Sequence, residues 1–146
     1  MRVDGISPAL RRRLAVVDLD QPVIEAARCL AKNGVDIVIA CDSGGVLQGL
    51  LSRGDLIRHI ASSDQSQDRP IEALMTRNAV CCRPADDLSL TWQLMNRRAL
   101  RNLPVLDLAG RPVGVLNLDD ALQALLRFET GQETMLLDYI AGVGYR

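Results

Sequence analysis

Two short phrases in this chain carry a carboxylate just past a hydrogen-bonding side chain, where a strand gives way to a helix. They are Gly49-Leu50-Leu51-Ser52-Arg53-Gly54-Asp55 and Gly114-Val115-Leu116-Asn117-Leu118-Asp119-Asp120. Each runs from a glycine through two apolar strand residues to a hydroxyl or amide residue, and then to an aspartate in the first helical turn. Such a turn exposes backbone N–H groups that can receive phosphate. Its carboxylate can accept both hydroxyls of a ribose diol. The same spacing describes a capping box, in which Ser52 with Asp55, or Asn117 with Asp120, satisfies the free N–H groups of a helix end. An acid there also suits the helix dipole. Capping and binding are compatible, and the spacing leaves both open. The duplication is what favours a binding site.

Nothing else in the chain suits catalysis. Leu50-Leu51-Ser52-Arg53-Gly54 ends like a nucleophile elbow, but the preceding glycine stands at 49 rather than 50. His59, the single histidine, follows on the same short helix, a poor position for a base. The acidic pairs Asp86-Asp87 and Asp119-Asp120 are adjacent residues and diverge on a helix. Cys29, Cys41, Cys81 and Cys82 lack C-x-x-C spacing and read as buried, reduced thiols. Neither an enzyme nor a metal site is expected.

The elements that must position the two phrases are themselves duplicated, at an offset of 65 residues. Asp42, Gly45, Gly49, Leu51 and Asp55 recur as Asp107, Gly110, Gly114, Leu116 and Asp120 without a gap. Hydrophobic classes agree as well: Val23 with Leu88, Leu30 with Met95, Val35 with Leu100, Ala40 with Val105, Ile57 with Leu122 and Ile60 with Leu125. Two copies are too few for a solenoid and suggest one supersecondary unit packed on its twin.

In the first copy Pro22 suits a helix start, and Ile24, Ala27 and Leu30 give an apolar helical face. Asn33-Gly34 stops that helix with a left-handed cap. Val35 to Cys41 reads as a buried strand, Asp42 to Gly45 as a turn, and Val46 to Leu51 as the antiparallel return. A short helix follows Ser52, with Leu56, Ile57 and Ile60 inward. The second copy repeats the order: a helix over Leu88 to Arg98, strands over Asn102 to Asp107 and Val113 to Leu116, and a helix over Asp119 to Phe128. A short strand leads each copy, Ala15-Val16-Val17 in the first and Ala79 to Cys82 in the second. The expected boundaries are 1–62 for the first copy with its N-terminal segment, 63–70 for a polar linker, 71–128 for the second copy and 129–146 for a tail.

Composition narrows the setting. With 48% hydrophobic and 24% charged residues, the chain has the balance of a folded domain rather than a disordered one. A net charge of −1 gives no general attraction to nucleic acid or anionic membranes. Trp92 and Phe128 are the only aromatics within the repeats, too few for a base-stacking platform. Arg97, Arg98, Arg101 and Arg111 therefore read as a solvated face, with Arg101 alternatively near a ligand phosphate. No apolar run approaches the roughly 20 residues of a membrane span. Arg11-Arg12-Arg13 is not followed by the apolar stretch of a secretory signal, so the cytoplasm is expected.

The order of Gly34, two strands and then G-h-h-S/T-x-x-D, met twice, resembles the cystathionine-β-synthase (CBS) domain, and the tandem resembles a Bateman module. Leu103-Pro104-Val105 and Met75-Thr76 fit the same pattern, and the resemblance covers Leu14 to Phe128. It implies an α+β fold of two β-α-β-β-α repeats related by pseudo-two-fold symmetry, with their sheets face to face and two clefts at the interface. It further implies an adenosine-containing ligand, such as AMP, ADP, ATP or S-adenosylmethionine, and no catalytic cofactor. By that resemblance Ser52 and Asp55 hold ribose in one cleft, with Arg53 on a phosphate. Asp120 does so in the other, with Asn117 at the hydroxyl position and Leu118 replacing the arginine. Adenine walls are expected from Val16-Val17, Val80-Cys81 and Leu103-Pro104. Ala99 in place of Gly34, and Asn117 in place of a serine or threonine, depart from the pattern in the second copy.

The expected function is a regulatory nucleotide sensor that signals to a separate effector protein. The alternative is a dimerisation scaffold with degenerate clefts. A homodimer is expected from apolar residues beyond what one sheet face needs, such as Leu90 with Leu94 and Ile57 with Ile60. In the tail, Met135-Leu136-Leu137 with Tyr139-Ile140 forms an apolar stripe that fits the protein's own core or a second subunit equally.

Overall fold

The computed structural model describes residues 1–62 and 67–128, so the tail lies outside the described residues. The first repeat opens with strand β1 (Val16–Asp18), whose parallel partner is β2 (Ile37–Cys41). A parallel pair needs a crossover. Helix α2 (Val23–Asn33) supplies it and buries Val23, Ala26 and Leu30 on the sheet. Pro22 sits one residue ahead of that helix, in extended conformation. Gly34 ends it at φ 62°, returning its N–H to the Leu30 carbonyl at 2.9 Å, as the Asn-Gly pair implies. Strand β3 (Leu47–Ser52) returns antiparallel to β2, and helix α3 (Arg53–Ala61) completes a β-α-β-β-α unit. Leu56 and His59 face inward on α3, whereas Ile57 and Ile60 are 64% and 65% exposed. Their expected inward orientation is thus corrected. With about 100° of helix turn per residue, Leu56 and His59 at i, i+3 take the narrow inner stripe of this short helix.

The second repeat follows the same path through α4 (Leu88–Arg97), β4 (Asn102–Leu106), β5 (Pro112–Asn117) and a helix α5 over 118–128. Ala99 occupies the place of Gly34 and adopts the same left-handed backbone, φ 54°. The expected leading strand, Ala79 to Cys82, is reduced to a single parallel bridge between Cys82 and Val105. The reason is Pro104. In the first repeat the N–H of Ile39 donates to the Ala15 carbonyl at 2.8 Å. The corresponding residue in the second is Pro104, which has no N–H to give to Val80.

The segment ahead of each repeat docks on the other repeat. Val3 and Asp4 donate their N–H groups to the carbonyls of Asp86 and Pro84, both at 2.9 Å. Ile71 and Glu72 donate in the same way to Gln21 and Leu19, at 2.8 and 3.0 Å. Helix α1 (Ser7–Arg12) then lies against β5, and Met75-Thr76 against β3. The contact points are the two motif glycines. A Cβ on Gly114 would stand 2.6 Å from Leu10 Cβ, and one on Gly49 2.7 Å from the Thr76 carbonyl oxygen. Leu10 and Met75 are themselves 65 residues apart, so the exchange is reciprocal.

Two cores result. Ile71 and Met75 join Val17, Leu30, Val38 and Leu51 in the first, and Val3, Ile6 and Leu10 join Met95, Leu103, Val105 and Leu116 in the second. The N-terminal segment, contiguous in sequence with the first repeat, therefore packs in the second repeat's core. Between the cores the sheets meet face to face through Ile37, Ile39 and Cys41 of β2 and Val115 of β5.

Candidate functional site

Both expected carboxylates stand in the first turn of a helix that leaves the sheet interface, and each is engaged differently. Ser52 caps α3: its Oγ accepts from the Asp55 N–H at 3.2 Å, while Asp55 Oδ2 accepts from the Ser52 N–H at 2.8 Å and from Ser52 Oγ at 3.0 Å. The capping box is complete. Asp55 Oδ1 is paired with Arg58 one turn along the same helix, and that arginine is 73% exposed. One carboxylate oxygen thus serves the cap, and the other faces an exposed arginine.

Asp120 has a different partner. Arg13, from the segment after α1, donates Nε to Asp120 Oδ2 at 2.6 Å and a terminal nitrogen to Oδ1 at 3.2 Å. This is a two-pronged guanidinium–carboxylate pair, with the carboxylate only 14% exposed. The hydrogen bond to Asp120 holds the Arg13 pKa above its ordinary value against opposing desolvation, and the charges of Asp120, Asp36 and Asp119 add to it. The residue 65 positions after Arg13 is Asn78, which carries no charge.

Asn117 is buried, and both ends of its amide are used within the fold. Oδ1 accepts from the N–H groups of Asp119 (2.9 Å) and Asp120 (3.2 Å), and Nδ2 donates to Asn102 Oδ1 at 3.0 Å. It caps α5 in place of Ser52. Arg53 donates Nε to the Val35 carbonyl at 3.3 Å and stands 3.5 Å from Asp36. Arg101, the counterpart of Asp36, pairs with Asp119 at 2.9 Å. Arg111 reaches across the repeats to the Gly44 carbonyl at 3.0 Å.

Strand alternation divides the expected apolar walls. Val17 packs in the first helix-side core, and Leu103 and Val80 belong to the second. Their placement as cleft walls is therefore corrected: a period of two sends one residue of each adjacent pair under the helices. Val16, in register with Ile39, shares the sheet-to-sheet face, as does the buried Pro104. Cys81 has the same parity as Pro104 and is half-buried. Cys82 points into the core, where burial pushes its thiol up to about 12. Among the described residues no group of three His, Cys, Asp or Glu side chains can hold a metal ion, and no helix is long and apolar enough to cross a membrane.

Sequence reasoning missed Arg13. Its only signal was a basic triplet ahead of the first repeat, and the contact spans 107 residues of chain.

The family model for the CBS domain matches this chain twice, at residues 6–62 and 71–127. Arabinose 5-phosphate isomerase GutQ of Salmonella typhi is 29% identical over 108 residues, 74% of this chain, which spans only 33% of that enzyme's length. Among solved structures, the CBS domain pair of protein MJ0100, in complex with 5'-methylthioadenosine and S-adenosyl-L-methionine, superposes with a TM-score of 0.74 at 21% identity, covering 88% of this chain and 98% of that one. CBSX2, of Arabidopsis thaliana, in complex with AMP gives 0.73 at 24% identity, with 88% and 98% covered.

Proposed function

The chain belongs to the CBS-domain family, with two copies in tandem, and from that premise we propose that it is a regulatory module sensing an adenosine-containing ligand. AMP, ADP, ATP and S-adenosylmethionine are the candidates, bound in clefts between the repeats, and the signal passes to a separate effector protein. The observation that carries this reading is the pair of aspartates, Asp55 and Asp120, each in the first turn of the helix that follows the last strand of its repeat. Adenosine compounds in structures of the same fold support it.

In the first cleft, Asp55 Oδ1 takes a ribose hydroxyl once Arg58 swings into solvent, and Arg53 lies two residues away for a phosphate. Ser52 remains the cap that fixes Asp55. In the second, Asp120 is the ribose acceptor, Asn117 holds its helix rather than the sugar, and Arg101 flanks it. Val16, Cys81 and Pro104 offer the apolar surface for adenine.

Thermal melting with each candidate ligand is the test. A ligand at a hundred times its Kd stabilises by about 2.7 kcal/mol, which raises the midpoint by several degrees in a chain of this size. No shift with any of the four would remove the sensing role. It would leave the second reading, a dimerisation scaffold, which the internal pairing of Asp120 by Arg13 favours.

The module is further proposed to act as a homodimer through its helices. Leu90, Ile57 and Ile60 are exposed, and α2 and α3 frame a largely apolar groove lined by Ala27, Leu30, Ala31, Leu56 and Ile57 together with Arg53.

A further inference from the structure

We propose that Arg13 makes the second cleft selective for phosphorylated adenosine ligands over uncharged ones. This rests on the reading of Asp120 as a ribose acceptor. Both oxygens of that carboxylate are engaged by the Arg13 guanidinium, at 2.6 and 3.2 Å. With the Asp120 carboxylate only 14% exposed, a ribose diol that takes the lone pairs the fork now uses displaces the guanidinium, itself 32% exposed where it stands.

The two other carboxylates whose charges reach Arg13 are each shared with another arginine. Asp36 already faces Arg53 at 3.5 Å, and Asp119 already binds Arg101 at 2.9 Å. A ligand that also delivers an anion resolves the exchange: its phosphate accepts the planar fork that the carboxylate gave up. Adenosine, with a ribose but no phosphate, offers the guanidinium only water and those shared carboxylates in exchange.

The first cleft lacks this device. Asn78 stands where Arg13 stands in the second, and the arginine on Asp55 is an exposed neighbour on the same helix that water can take at little cost. The two clefts are therefore matched to different ligand classes, the first tolerant of uncharged adenosine compounds and the second requiring an anionic group.

The test is calorimetry with AMP and adenosine in an Asp55→Asn chain, which leaves the second cleft as the site being read. AMP is expected to bind about ten- to a hundredfold more tightly than adenosine, the range of a hydrogen bond to a charged group. Adding Arg13→Gln should weaken AMP, tighten adenosine by freeing Asp120, and shrink that ratio at least about tenfold. Arg13→Lys keeps the charge without the fork and should fall between, and melting curves confirm that each variant is folded. A ratio unchanged by both substitutions overturns the selectivity while leaving the sensing role intact. Failure of both compounds to bind the unsubstituted chain overturns this inference, and failure of ADP, ATP and S-adenosylmethionine as well overturns the sensing role with it.

Discussion

Replacing Gly114 by alanine tests whether the N-terminal segment is part of the second repeat. The added Cβ would lie 2.6 Å from Leu10 Cβ and 3.0 Å from the Leu10 carbonyl carbon. Carbon atoms in good contact sit about 3.5–4.0 Å apart, so α1 must recede by roughly 1 Å. The obstacle includes backbone, and no rotamer change of Leu10 relieves it. Overpacking of this kind costs about 1–3 kcal/mol. The upper end applies here because Val3, Ile6 and Leu10 are all buried and move together. At about 3 kcal/mol the midpoint should fall by roughly 6–12 °C. A control isolates the cause: Gly34→Ala strains a φ of 62° in open space and should cost about 1–2 kcal/mol without touching α1. Hydrogen exchange separates the two. The Val3 and Asp4 amides, bonded to Asp86 and Pro84, should lose protection in Gly114→Ala and keep it in Gly34→Ala. If those amides exchange at the wild-type rate in Gly114→Ala, the close approach does not hold the segment and the reciprocal docking is wrong.

Three further outcomes are expected. Asp55→Asn breaks one side of the capping box and should lower stability by about 0.5–1 kcal/mol, while weakening ligand affinity at the first cleft by about 1.5–3 kcal/mol; calorimetry showing wild-type affinity would remove the ribose assignment. Ala99→Gly relieves a left-handed alanine at the helix end and should raise stability by about 0.5–1 kcal/mol, read as a later urea midpoint with an unchanged slope. Ile57→Asp with Ile60→Asp should convert a dimer to a species near 16.0 kDa in sedimentation at micromolar concentration; a wild-type chain already sedimenting at that mass would sink the dimer.

What the sequence revealed is what a period carries. The offset of 65 residues, the glycine cap at Gly34 and the turn at Asp42 to Gly45 are local signals, and the β-α-β-β-α order followed from them. The family match at 6–62 and 71–127 agrees with the resemblance drawn from those motifs. Other features depended on tertiary context. The shortening of the leading strand at Cys82 follows from one missing N–H at Pro104, a residue that by itself reads as a family signature. Whether Val16 or Val17 lies on the sheet-to-sheet face is a question of register, which composition leaves undetermined and the pairing of Val16 with Ile39 settles. The exchange of leading segments and the Arg13–Asp120 pair join residues far apart in sequence. No spacing rule anticipates them.

The same helices that present the carboxylates also carry the exposed apolar residues. On α3, Asp55 sits in the first turn while Ile57 and Ile60 face outward, with only Leu56 and His59 anchoring the helix to the core. On α5, Asp120 is followed by Leu122 and Leu126, exposed at 38% and 56%. A ligand that donates hydrogen bonds to a first-turn carboxylate would compete with its present partner, Arg58 of the same helix in one repeat and Arg13 of the N-terminal segment in the other. Any resulting change in helix position is felt at the outer face, because a helix of nine residues moves as one body. Linkage then makes the effect reciprocal: if ligand tightens self-association by some factor, association must tighten ligand by the same factor. If both carboxylates bind ligand, their different partners would give this coupling two inputs. Under the proposed reading, a ligand on the α3 side would displace only an exposed arginine, whereas one on the α5 side would also release Arg13, which ties the N-terminal segment to Asp120.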